Sequence, residues 1–89
     1  MKLNDYRDEV KEFLIKIDAL GKKQEQKLIW LEKEFDLLKS AVRNFDDKAI
    51  SHQIYDMIYL LLEIAADNDC NLDKQWEIGQ RNKHEKYIG

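Results

Sequence analysis

No proline occurs in the 89 residues, and glycine occurs only at positions 21, 79 and 89, so almost nothing in the chain forces a helix to stop. Apolar residues recur at helical spacing through most of it. Tyr6, Val10, Phe13, Leu14, Ile17 and Leu20 form one stripe, which predicts a helix from about Asp5 to Leu20 stopped by Gly21. Leu28, Leu31, Phe35, Leu38 and Val42 predict a second, from about Lys22 to Val42, with Arg43 and Asn44 suited to its C-terminus. Asp46 or Asp47 can cap a third, whose segment from Ile54 to Ala66 is apolar nearly all round except at Asp56 and Glu63. Asn71 is a good cap for a last helix from Leu72 to about Tyr87, weakened in its middle by Gly79. There is no internal repeat, low-complexity tract or linker. The pattern predicts one all-α domain, residues 1–89, built as a four-helix bundle.

A domain of this length hides only about 60–65% of the surface its unfolded chain exposes. The third helix, apolar on nearly every side, needs more cover than three short neighbours supply, so completion of the bundle by a second copy is expected, through that helix. The net charge is −3 and the pI about 5.3, with acids and bases interspersed, which argues against bulk nucleic-acid binding. The longest apolar run, Met57 to Leu62, is far short of a membrane span, and no charged-then-apolar leader opens the chain. Cys70 is the only cysteine, so no intrachain disulfide can form, and with His52 and His84 alone beside it a four-ligand zinc site lacks soft ligands. These features predict a soluble, cytoplasmic protein.

Two carboxylates stand at apolar positions. Glu34 falls within the stripe Leu31, Phe35, Leu38, Val42, and Asp56 interrupts the run Ile54 to Leu62. A carboxylate buried without a cation or donors costs several kcal/mol or takes up a proton, so each predicts a partner. At about 100° per residue, Gln53, Asp56, Glu63 and Asp67 share one side of the third helix, and Lys27 and Glu34 lie near one line on the second. Antiparallel packing on these faces would line one pocket with Lys27, Glu34, Asp56 and Glu63. Oxygen ligands on facing helices suit a hard divalent cation, and Mg²⁺ keeps waters and takes phosphate oxygens, which points to a nucleotide phosphate site. The competing reading is a set of solvated or salt-bridged carboxylates at a bundle edge.

The stretch Leu31-Glu32-Lys33-Glu34-Phe35-Asp36-Leu37-Leu38-Lys39-Ser40-Ala41-Val42 resembles the first motif helix, L-x-E-E-V-G-E-L-x-x-A-I, of the MazG-like all-α nucleoside triphosphate pyrophosphohydrolases. His52-Gln53-Ile54-Tyr55-Asp56-Met57-Ile58-Tyr59-Leu60-Leu61-Leu62 resembles the second, E-L-x-D-V-L-x-x-L-L. Ala65-Ala66-Asp67 to Asn71-Leu72-Asp73-Lys74-Gln75-Trp76 is similar to the family's A-x-x-x-G-I-D-L-x-x-x-W/F segment, and Lys83 to Tyr87 to its basic end. The resemblance covers roughly residues 24 to 87, in order, spacing and apolar register. It implies a helical homodimer or tetramer that cleaves nucleoside triphosphates between the α- and β-phosphates, with Mg²⁺ held by an E-x-x-E pair and an E-x-x-D pair.

The departures fall on the chemistry. In this register the first pair becomes Glu34-x-x-Leu37 and the second Gln53-x-x-Asp56, so one carboxylate survives in each. An amide still offers an oxygen, but a leucine offers none to Mg²⁺. The resemblance therefore implies a protein that binds or sequesters a nucleotide or nucleotide-derived signal, with impaired or lost hydrolysis and a weakened Mg²⁺ site at Glu34, Asp56 and Glu63. Lys27, Gln53, Arg81, Lys83 and Lys86 are the candidate nucleotide-binding residues, the cations as phosphate donors. Two alternatives stand beside it: an active enzyme that recruits Glu63 or Asp67, and a helical protein-interaction module without ligand. Trp30, Trp76, Tyr55 and Tyr59 could meet a base, but aromatics at helical spacing favour core or interface. His52 has no visible catalytic partner, and Cys70 no activating neighbour.

Overall fold

The computed structural model describes residues 2–89 as four α-helices. They are α1 (Leu3–Lys16), α2 (Gln24–Arg43), α3 (Asp47–Asp67) and α4 (Leu72–Tyr87). No strand occurs among the described residues, as the all-α reading expects. The third and fourth helices begin at caps visible in the sequence: the Asp46 carboxylate accepts the Ala49 N–H at 3.1 Å, and the Asn71 amide oxygen accepts the Lys74 N–H at 3.1 Å.

The first helix stops at Lys16, four residues before the expected Leu20. Asp18 takes a left-handed backbone (φ 56°), its N–H reaches the Ile15 carbonyl, and the Ala19 N–H reaches the Leu14 carbonyl at 2.8 Å. This paired closure ends the helix before Gly21, which instead shapes the connection to α2 with φ 72°. The same closure recurs at Phe45 and Asp69, the left-handed residues that end α2 and α3.

Helices α2 and α3 form the central antiparallel hairpin, α1 packs on α3, and α4 rests chiefly on α1. Val10 and Leu14 of α1 meet Leu62 and Ala66 of α3, flanked by Ala19, Leu20, Tyr59 and Leu72. Leu14 is the one large side chain with almost no exposed surface among the described residues. The third helix is less covered than its composition predicts, because Ile54, Tyr55, Ile58 and Leu61 remain exposed.

Polar groups fasten α4 to α1 by mutual capping. The Asp73 carboxylate accepts the Leu3 and Asn4 N–H groups at 2.9 and 3.4 Å, while the Asn4 side-chain oxygen accepts the Leu72 and Asp73 N–H groups at 2.8 and 3.3 Å. Each helix start thus satisfies donors of the other. The Asn4 amide also donates to Asn71 at 3.0 Å, and Arg7 donates to the Cys70 carbonyl.

Candidate functional site

The groove between α2 and α3 on the side of α1 holds a cleft of about 400 Å³ lined by Trp30, Glu34, Tyr55, Asp56, Tyr59, Leu60 and Glu63. Glu34, Asp56 and Glu63, the three acids predicted to share a pocket, therefore do share one. One carboxylate oxygen of Glu34 (Oε2) and the amide oxygen of Gln53 (Oε1), one turn before Asp56, are buried with no hydrogen-bond partner. Buried acceptors are nearly always paired in folded proteins, so these two are exceptions that mark the α2–α3 seam.

The aromatics at the cleft are covered unequally. Trp30 is 42% exposed at its edge, and Tyr55 and Tyr59 stand along the α3 wall with ring centroids 6.1 Å apart. Trp30 and Tyr55 stay exposed, whereas Tyr59 is half-buried, packed on the α1–α3 core with its ring edge-on to Phe13 of α1, 6.3 Å between centroids. Burial, with the Glu63 charge and Tyr55 adding to it, raises the Tyr59 phenol above its ordinary value. Trp76, on α4, is more exposed still and lies at a different hollow, about 600 Å³, between α1 and α4.

Lys27 is not free to hold phosphate. It is 3% exposed, and its ammonium meets the Asp67 carboxylate at 2.5 Å and Glu63 at 4.0 Å. The Asp67 side chain is fully enclosed, and its other oxygen accepts the Gly21 N–H at 2.7 Å. Both oxygens of Asp67 are thereby engaged, which removes it as a substitute metal ligand. Antiparallel packing explains the pairing, since it sets the first turn of α2 against the last turn of α3.

Glu63 keeps a foot in both places. It lines the cleft while its carboxylate sits near Lys27, and burial raises its pKa above the usual carboxylate range, with Lys27 opposing the shift and Asp67 adding to it. Asp56 turns to the exposed His52, 3.1 Å away, forming an ion pair when the imidazole is protonated. With Glu63 drawn to Lys27 and Asp56 to His52, no three His, Cys, Asp or Glu side chains among the described residues come together as a metal site. Glu34, Asp56 and Glu63 are therefore cleft neighbours rather than a three-acid cage, and this donor set does not fit a resident Mg²⁺, which needs near-octahedral oxygens.

The C-terminal cations also lie elsewhere. Arg81, Lys83 and Lys86 are exposed on α4, Arg81 beside Glu77 at 3.4 Å and Lys86 over the Tyr87 ring. Because α4 is fastened to α1, none of the three lines the α2–α3 cleft of its own chain. Cys70 is exposed in the α3–α4 turn. No helix is long and apolar enough to cross a membrane among the described residues.

The chain matches no protein-family model, no curated protein and no solved structure. The site therefore rests on its own geometry. Periodicity located Glu34, Asp56 and Glu63 together. It could not reveal the His52–Asp56 contact as a feature of the cleft wall, although the i, i+4 spacing on α3 carried that signal.

Proposed function

We propose that this chain is a MazG-like helical protein, homodimeric or tetrameric, that binds a nucleotide or nucleotide-derived small molecule in the α2–α3 cleft without efficient hydrolysis. The observation that carries the reading is Glu34, which lines the cleft beside Trp30, Tyr55 and Tyr59 and keeps Oε2 without a partner; Gln53 Oε1, at the other motif position, is also unpartnered but lies outside the cleft lining. Acceptors of this kind take N–H and O–H donors of a base or sugar, and Trp30, Tyr55 and Tyr59 offer faces on which a base stacks, worth about 1–3 kcal/mol per base. Leu37 and Gln53 stand where the resemblance expects carboxylates, and Asp67 is committed to Lys27, so the acids needed to assemble a hydrolytic metal centre are missing. Mg²⁺ enters this reading only as the counter-ion that phosphates bring with them.

Calorimetry and thermal shift with a panel of nucleotides and Mg²⁺, beside an assay for pyrophosphate release, test it. The expected result is binding that raises the melting temperature, weakened at least tenfold by Glu34→Ala, with no rapid release. Rapid release abolished by Glu34→Ala or Glu63→Ala rejects sequestration in favour of an active enzyme. Absence of both heat and thermal shift leaves the interaction module, a reading favoured by the exposed apolar residues of α2 and α3.

A further inference from the structure

The α2–α3 hairpin has a second face, apolar rather than acidic. On α2, Leu28, Phe35 and Val42 recur every seven residues, and on α3 Ile54 and Leu61 do the same; all five are 44–51% exposed. Leu31, Leu38, Ile50, Met57 and Ile64 are only partly covered beside them.

Helical geometry places this face away from the cleft. On α2, Lys27 points at α3; Trp30, at the cleft, lies about 60° to one side of that line and Phe35 about 80° to the other. On α3, Leu62 faces α1 and Asp67 faces α2, and Leu61 lies about 100° from the first and about 120° from the second. The cleft and the apolar stripe are thus opposite sides of one hairpin.

The chain exposes more surface than a compact monomer of its mass. Its accessible area is 6998 Å², where a folded monomer of this mass exposes about 5,500 Å². Its radius of gyration is 15.2 Å, where a compact domain of this length has about 12 Å. The protruding α4 accounts for part of the excess. The whole excess, about 1,500 Å² per chain, is nearly twice the roughly 800 Å² per partner of a standard interface and lies within the obligate class when counted over two partners.

We infer that a second copy of this chain docks on the face formed by Leu28, Phe35, Val42, Ile54 and Leu61, so that two α2–α3 hairpins complete a four-helix core and leave both clefts on its outer sides. Such a two-fold contact uses the same patch on each partner. It rests on the oligomeric part of the proposed function and is independent of the ligand.

Light scattering and sedimentation of the full chain across the micromolar range test it. The expected mass is twice 10.7 kDa, or a higher even multiple. Phe35→Glu and Leu61→Glu lower it at least twofold with helical circular dichroism retained, while Ile15→Glu, on the outer side of α1, leaves it unchanged. Should the charged variants unfold, the truncations Phe35→Ala and Leu61→Ala read the same contact as a rise in dissociation constant of about tenfold or more. A wild-type chain that stays monomeric throughout overturns both the oligomer and the face, whatever protein or lipid it then binds. An oligomer whose mass and dissociation constant are indifferent to Phe35 and Leu61 overturns the face alone.

Discussion

Replacing Lys27 by methionine separates a structural lysine from a phosphate-binding one. Lys27 is 3% exposed and the Asp67 side chain is fully enclosed, so the substitution keeps an apolar stem of similar length but strands a carboxylate. Asp67 would retain one donor, the Gly21 N–H, and Glu63 would lose the cation that opposes its raised pKa. Removing one partner of a buried pair costs about 3–5 kcal/mol. A domain of this size has about 4–13 kcal/mol in all, and each kcal/mol moves its melting temperature by about 4–8 °C. Lys27→Met therefore lowers the melting temperature by at least about 12 °C at fixed protein concentration.

Adding Asp67→Asn to that variant removes the stranded charge while keeping an acceptor for Gly21, and it returns at least half of the lost stability. Urea unfolding followed at 222 nm measures both variants and Asp67→Asn alone, and the cycle isolates the pair. A cost under about 1 kcal/mol for Lys27→Met, the worth of an exposed pair, would refute the buried latch. So would a variant of unchanged stability whose nucleotide affinity falls, since that is the behaviour of a phosphate ligand.

Glu63→Gln tests the acid between latch and cleft. Its carboxyl titrates above its ordinary value when folded, so the folded chain holds a proton that the unfolded chain has released, and stability falls as pH rises through that window. The variant lacks this loss: measured by denaturation at several pH values, its advantage over wild type grows from the ordinary carboxylate range upward and vanishes below it. Asn4→Ala removes the acceptor for the Leu72 and Asp73 N–H groups and the donor to Asn71. Loss of a cap costs about 1 kcal/mol, and hydrogen exchange is expected to show α4 losing protection while α2 and α3 keep theirs.

How much of this was legible depended on distance along the chain. The starts of α3 and α4 were readable because Asp46 and Asn71 cap within three residues of themselves. The end of α1 was not, since Gly21 is the obvious stop and the actual closure uses Asp18, a residue that tolerates the left-handed backbone less well. Seven-residue spacing put Lys27 and Glu34 on one line correctly, but which acid takes the lysine follows from helix pairing. The fourth residue of α2 meets the last of α3, so Asp67, not Glu34, receives it. The tie between Asn4 and Asp73, 69 residues apart, has no local signal at all. That tie keeps Arg81, Lys83 and Lys86 away from the cleft they were expected to serve.

The commitment of Lys27 decides the character of the cleft. Had its ammonium faced Glu34 and Asp56, it would offset one of the three acidic charges of the site and offer a phosphate a donor. Turned instead into the Asp67 latch, it leaves the walls with Glu34, Asp56 and Glu63 and no cation among the lining residues. A bare phosphate is repelled there. Under the proposed function, a ligand brings donors or its own cation to Glu34, with its phosphates turned away from the acids. The latch also fixes the register of α2 on α3, because a one-turn slip would bury both charges unpaired. Pinned by an ion pair on its inner line, the same hairpin is free to be acidic and aromatic on one side and apolar on the other, as the proposed ligand and the proposed second copy each require.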